Sequence, residues 1–149
     1  MIVDGGSQLN EATLTALERS HVIILLLTPD LAAVKAAIDA IHLFERLGYD
    51  QSAYILPVVN RIFPNNGLEL RNIESALKYD VAATIPYNRT DFVKAINTGQ
   101  PYLVTDSFSQ TSLAIATLAY QLSATEMESG QISYPTKLLS SVRRLTKTA

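Results

Sequence analysis

The chain has 149 residues, a formal net charge of −2, and 48% hydrophobic against 17% charged side chains. That balance excludes intrinsic disorder and supplies enough apolar chain for one domain with a buried core. The longest uninterrupted apolar run, Val22 to Leu27, is too short to cross a bilayer, and the absence of cysteine excludes disulfides, thiolate metal sites and a cysteine nucleophile.

In chain order, Ile2-Val3 reads as the end of a short strand running into Asp4 and the turn Gly5-Gly6. Leu9 to Arg19 is predicted helical, with Leu9, Ala12, Ala16 and Leu17 near helical spacing. VIILLL, residues 22–27, is a continuous β-rich run of the kind buried on both faces of a parallel sheet. Thr28-Pro29-Asp30 ends it, Asp30 is placed to cap a helix over Leu31–Leu47, and Gly48 closes that helix.

YILPVVN, residues 54–60, is the next strand; Pro57 within it cannot donate to a ladder, which predicts an edge position or a bulge. A turn-rich loop over 63–67 leads to a helix over Glu69–Tyr79 and a short strand, VAATIP, over 81–86. A helix starting at Thr90-Asp91 ends near Gly99, with Pro101 preventing its continuation, and Ser109 to Ser123 forms a long Ala/Leu helix. Residues 124–136 are polar and read as a linker.

Strands separated by helices of this length imply crossover connections and an α/β fold, a mostly parallel sheet with helices on both faces. Ligands in such folds sit at the carboxyl ends of strands. That rule selects Asp4 onward, Thr28-Pro29, Asn60-Arg61 and Ile85-Pro86 onward.

The order of these motifs resembles the C-terminal half of the MinD/ParA superfamily of deviant P-loop ATPases. The resemblance rests on a strand ending in Asp4, LLLTPDLAAVKAAIDAIHLFERLG, VVNR, and IPYNRTDFVKAINTGQPYL, in which Ala95, Asn97, Gly99 and Pro101 match the family's Ala-x-Asn-x-Gly-x-Pro element. It covers about residues 1–123 and is nearest to the CpaE/TadZ group, bacterial proteins that localise pilus assembly. It implies a partial P-loop NTPase fold of the SIMIBI type, ATP and magnesium as cofactors of a full-length parent, and nucleotide-controlled dimerisation that positions a cell-surface machine.

Carried over by position, Asp4 matches the Walker B aspartate, the catalytic and magnesium-associated residue. Asn60 matches the asparagine that reads the adenine edge, with Arg61 beside the base, and Pro86 and Tyr87 lie where main-chain groups border it. An asparagine amide offers a donor and an acceptor to that edge, and a strand-end carboxylate suits a hydrated magnesium ion.

The chain departs from the family pattern in three places. Gly5-Gly6-Ser7-Gln8 stands where a Pro- and Gly-containing switch segment is usual, and Ser20-His21 stands where an acidic residue often precedes the next strand. No G-x-x-x-x-G-K-[ST] loop occurs, and the family places that loop upstream of its Walker B strand, so it would precede Met1. The resemblance therefore implies that this chain alone neither binds nor hydrolyses ATP, and that no cofactor is expected in it. It implies partnership with an upstream P-loop segment or self-association. The competing reading is a non-enzymatic interaction or dimerisation module that retains the scaffold. A relation to ATPases that carry metal clusters is disfavoured by the lack of thiolates.

His21 and His42 have no carboxylate or second histidine at ligand spacing and read as ordinary histidines, and no nucleophile-elbow or Ser/His/Asp pattern points to hydrolase chemistry. Tyr87, Tyr102 and Tyr134 lie near loops, where partial burial is expected before any contact role.

Charge is unevenly spread. Residues 137–149, KLLSSVRRLTKTA, hold Lys137, Arg143, Arg144 and Lys147 and no acid, which leaves eight basic and fourteen acidic side chains for the rest. On a helical wheel Leu138, Leu139, Val142 and Leu145 fall within about a 120° arc, with the four cations opposite. Such a basic amphipathic tail fits an anionic membrane surface, packing on the body or on a partner, or a loose end. A mildly acidic body with a basic tail is not the pattern of a nucleic-acid-binding domain. With no charged-then-apolar leader, the expected location is cytoplasmic, or peripheral at the inner membrane through the tail.

Overall fold

The computed structural model describes residues 1–48, 55–64 and 67–122. The linker over 124–136 and the tail over 137–149 lie outside the described residues. The elements run α1 (Glu11–Glu18), β1 (Ile23–Leu27), α2 (Leu31–Arg46), β2 (Ile55–Asn60), α3 (Leu70–Leu77), β3 (Ala83–Ile85), α4 (Arg89–Thr98), α5 (Tyr102–Thr105) and α6 (Gln110–Leu122). The strands form one parallel sheet in the order β1-β2-β3.

Local sequence explains most boundaries. Asn10 caps α1 by accepting the Thr13 amide at 2.9 Å, and Asp30 caps α2 by accepting the Ala33 amide at 2.9 Å, each satisfying a donor that no helical carbonyl can reach. Gly48 and Gly99 follow their helices at φ +86 and +65, the left-handed conformation that glycine adopts without a Cβ clash. Lys78 does the same at the end of α3 with φ 58, and its amide donates to the Glu74 carbonyl.

One face of the sheet carries the core. Ile23 and Leu27 of β1 and Ile55 and Val59 of β2 pack with Val34, Ala37, Ile41 and Phe44 of α2 and Ile73 and Leu77 of α3. These α2 positions recur at helical spacing, so a single stripe of the helix meets the sheet. Each of the larger side chains (Val, Leu, Ile and Phe) taken from water contributes about 1.5–3 kcal/mol. Helix α6 packs on β3, and its Ser112 and Ala116 are 0% exposed.

Three expectations are corrected. Ile2-Val3 forms no strand: residues 1–10 are all exposed, and Asp4 to Gly6 makes a local turn instead. A strand exists only by pairing, and two apolar residues with no engaged neighbour have too few ladder bonds to hold them.

β1 is not buried on both faces. Ile24 and Leu26 are 43% and 57% exposed: β1 is an edge strand of the described sheet, and these two side chains lie on its face away from the core cluster.

Pro57 sits neither at an edge nor in a bulge but buried in the central strand, in register with Leu25. Its carbonyl accepts the Ala82 amide at 2.8 Å, so its donorless nitrogen faces β3 where that strand has not yet begun. The ladder therefore loses only an opening rung, a milder cost than proline imposes in mid-ladder.

Candidate functional site

Because the three strands are parallel, their carboxyl ends lie along one rim, and three loops rise from it: Thr28-Pro29-Asp30, Asn60-Arg61 and Pro86-Tyr87. In open α/β sheets this rim is where ligands bind.

At the end of β1, Thr28 donates its hydroxyl to Asp30 Oδ2 while Oδ1 takes the Ala33 amide. The Thr28 hydroxyl first and the Ala33 amide second hold the Asp30 carboxyl below its ordinary range, because both favour the charged form. Pro29 is buried, and its carbonyl accepts the Leu68 amide at 2.8 Å. A Cβ on Gly67 would lie 2.9 Å from Pro29 Cγ and 3.1 Å from its carbonyl oxygen. Only a glycine lets the loop after β2 lie this close to the loop after β1.

At the end of β2, Asn60 is half-buried and in register with Ile85. The Arg61 amide donates to the Ile85 carbonyl at 3.0 Å, carrying the pairing one residue past the strand. Asn60 and Arg61 are thereby held beside Pro86, half-buried, and Tyr87, 38% exposed. Exposed Ile62 and Phe63 continue the β2 loop.

The β3 loop is braced from behind. Asn88 donates its side-chain amide to the Tyr102 hydroxyl at 2.6 Å, and the Phe92 and Tyr102 rings lie 5.1 Å apart in a tilted pair. Tyr102 is only 5% exposed and sits on α5, an element the sequence reading did not resolve. Its burial exceeds the partial burial expected of it. The available signal was Pro101: proline favours the start of a new helix as readily as it ends an old one. A polar hollow of about 250 Å³ lined by Asp91, Lys94, Tyr102, Thr105 and Asp106 lies beside this brace.

Asp4 stands apart in chemistry. Its Oδ1 accepts the Gly6 amide at 2.9 Å, Gly6 adopts φ +63, and the Thr13 hydroxyl ties the Gly5 carbonyl to the first turn of α1. Among the described residues no group of three His, Asp or Glu side chains could hold a metal ion. One exposed carboxylate committed to a turn does not fit a resident magnesium site, and no catalytic step is derived through one. At the rim, Asn60 carries a side-chain amide with both donor and acceptor, and Tyr87 an exposed ring.

No protein-family model matches the sequence, and no curated protein matches it. Solved structures do. The MinD cell division protein of Aquifex aeolicus aligns with a TM-score of 0.66 at 21% identity, covering 82% of this chain and 52% of that one. A ParA family ATPase from Chlorobium tepidum aligns with a TM-score of 0.63 at 18% identity, over 78% of this chain and 46% of that one. The septum site-determining protein MinD of Pyrococcus horikoshii, solved in complex with Mg-ADP, aligns with a TM-score of 0.66 at 15% identity, over 84% and 50%. The chain spans about half the length of the structures it matches. No helix among the described residues is long and apolar enough to cross a membrane. The α/β architecture foreseen from the motif order is therefore present: the described residues carry a fold shared with MinD- and ParA-type ATPases.

Proposed function

We propose that this chain is the adenine-side half of a MinD/ParA-like nucleotide switch, of the CpaE/TadZ kind that positions pilus assembly. The observation that carries the reading is the register of Asn60 with Ile85, which holds Asn60, Arg61, Pro86 and Tyr87 on one rim in the order the family's motifs require. The phosphate loop is absent from the 149 residues, so another polypeptide segment supplies it. Asp4 joins a magnesium site only where the phosphates and further ligands come from that segment. The chain by itself binds Mg-ATP negligibly, and nucleotide-controlled dimerisation belongs to the assembled protein. The Aquifex MinD has also been solved in a complex with MinC, which supports partner binding as the output of this fold.

The test uses the chain as it stands. Isothermal titration with Mg-ATP gives no micromolar binding, and millimolar adenosine shifts the amide resonances of Asn60, Arg61 and Tyr87 more than uridine does. Micromolar Mg-ATP binding overturns the half-site reading; equal responses to the two nucleosides overturn the adenine assignment.

A second reading, a non-enzymatic interaction module, is favoured by the exposed Ile24 and Leu26. It gives no nucleoside preference at the rim, so the same titration separates the two.

A further inference from the structure

Asn88 follows Pro86 and Tyr87 directly and stands at the N-cap of α4, where an asparagine side chain ordinarily accepts an amide of its own helix. It makes no such bond. Its side-chain amide donates instead to the Tyr102 hydroxyl at 2.6 Å, so a contact across the fold has displaced the local one. Tyr102 is itself held firmly. It is 5% exposed, with its ring 5.1 Å from that of Phe92, and its carbonyl accepts the Asp106 amide at 3.1 Å and the Thr105 hydroxyl at 2.9 Å. The Asp106 carbonyl in turn accepts the Ser112 hydroxyl of α6 at 2.5 Å, and α6 packs on β3. The path therefore closes on itself, from β3 through its own loop to Asn88, across to α5, and back by way of α6. At the other end of the loop the Ile85 carbonyl accepts the Arg61 amide at 3.0 Å. Pro86 and Tyr87 are pinned on both sides.

We propose that the Asn88–Tyr102 pair positions the base-facing loop and so sets how strongly the rim prefers adenine, with Tyr102 acting as a positioning residue through Pro86 and Tyr87. The inference rests on the adenine-side reading of the rim and adds what fixes its specificity. Hydrogen bonds to a base edge weaken steeply when donor and acceptor are displaced or misaligned. A loop freed at one end samples several arrangements, and the entropy lost in ordering it again is subtracted from binding. The ring and the hydroxyl of Tyr102 divide the work. The ring packs on Phe92, whereas only the hydroxyl reaches Asn88. Without that hydroxyl Asn88 is free to turn back and cap α4, an alternative bond open to asparagine at this position. Loss of the pair therefore loosens the loop and leaves the helix in place.

Tyr102→Phe and Asn88→Ser test the proposal in the full chain. Phenylalanine keeps the ring on Phe92 and removes the hydroxyl; serine is a favoured N-cap but too short to reach Tyr102. Ile73→Ala, in the core, controls for lost stability. All are compared with the natural chain at a temperature where circular dichroism shows each of them folded. Adenosine and uridine are titrated separately while the amide resonances of Asn60, Arg61 and Tyr87 are followed. Both brace variants should lower the preference for adenosine by about threefold or more, and Ile73→Ala should keep the natural preference. Before any nucleoside is added, the order parameter of the Tyr87 amide should fall in both brace variants. A natural preference in the brace variants, an equal loss in Ile73→Ala, or an unchanged order parameter overturns the positioning role and leaves the rim reading standing. Equal responses of the natural chain to the two nucleosides overturn the rim reading, and the positioning role with it.

Discussion

Gly67 lies against Pro29 closely enough that a single added methyl group would stand 2.9 Å from the Pro29 ring. The Leu68 amide, one residue on, donates to the Pro29 carbonyl at 2.8 Å and fixes that approach. The loops leaving β1 and β2 are thus locked together beyond the rim from which both rise. Gly67→Ala forces a rigid ring or the backbone to move, and we expect it to cost about 1–3 kcal/mol, as overpacking does. Urea denaturation measures it. An unchanged midpoint would show that the two loops separate without penalty.

Asp30 links stability to pH. Its carboxyl is held below the ordinary range by the Thr28 hydroxyl and the Ala33 amide, so the folded protein binds the proton less readily than the unfolded chain. Its contribution is complete above the unfolded pKa and fades as pH falls through the lowered folded value. Asp30→Asn keeps an acceptor for the cap but no titrating charge. Thermal melts of the natural chain and of Asp30→Asn therefore converge as the solution is acidified below the usual carboxylate range. Curves that stay parallel throughout would remove Asp30 from the acid response.

The Asn88–Tyr102 bond should be measurable as a pair. Tyr102→Phe keeps the ring packed against Phe92 but leaves the Asn88 amide without its hydroxyl partner. We expect a loss of about 0.5–1.5 kcal/mol. In a double-mutant cycle with Asn88→Ala the two losses should be less than additive. Strict additivity would mean that the β3 loop is positioned by packing alone.

Ile73 is 1% exposed within the core on α3. Ile73→Ala deletes buried methylenes where α2, α3 and the sheet meet, and should cost about 2–5 kcal/mol by chemical denaturation. A loss under 1 kcal/mol would indicate that the helices close over the gap, contrary to the dense packing seen there.

At the rim, Asn60→Ala should abolish the preference for adenosine over uridine in resonance-shift titrations while leaving the fold unchanged, because Asn60 is half-buried and its pairing is through the main chain. A retained preference would transfer base recognition to the Pro86–Tyr87 loop.

What the sequence determined was set by short-range chemistry. Asp30 before an apolar-periodic run specified the start of α2, and Gly48 and Gly99 specified helix ends, because capping and left-handed turns depend on a residue and its next few neighbours. Strand-helix alternation and the order VVN…IPY gave the parallel sheet and most of its rim residues. The tertiary structure alone decided which strand is an edge. That is a question of which backbone groups find partners, so it reversed three local readings. Ile2-Val3 lacks a paired neighbour and is no strand, Pro57 is tolerated in the centre because its missing donor points where β3 has not begun, and apolar Ile24 and Leu26 are left in the open. Tyr102 as the brace of the β3 loop was equally hidden. Its partner Asn88 is fourteen residues away and is brought to it only when α4 and α5 fold back on each other.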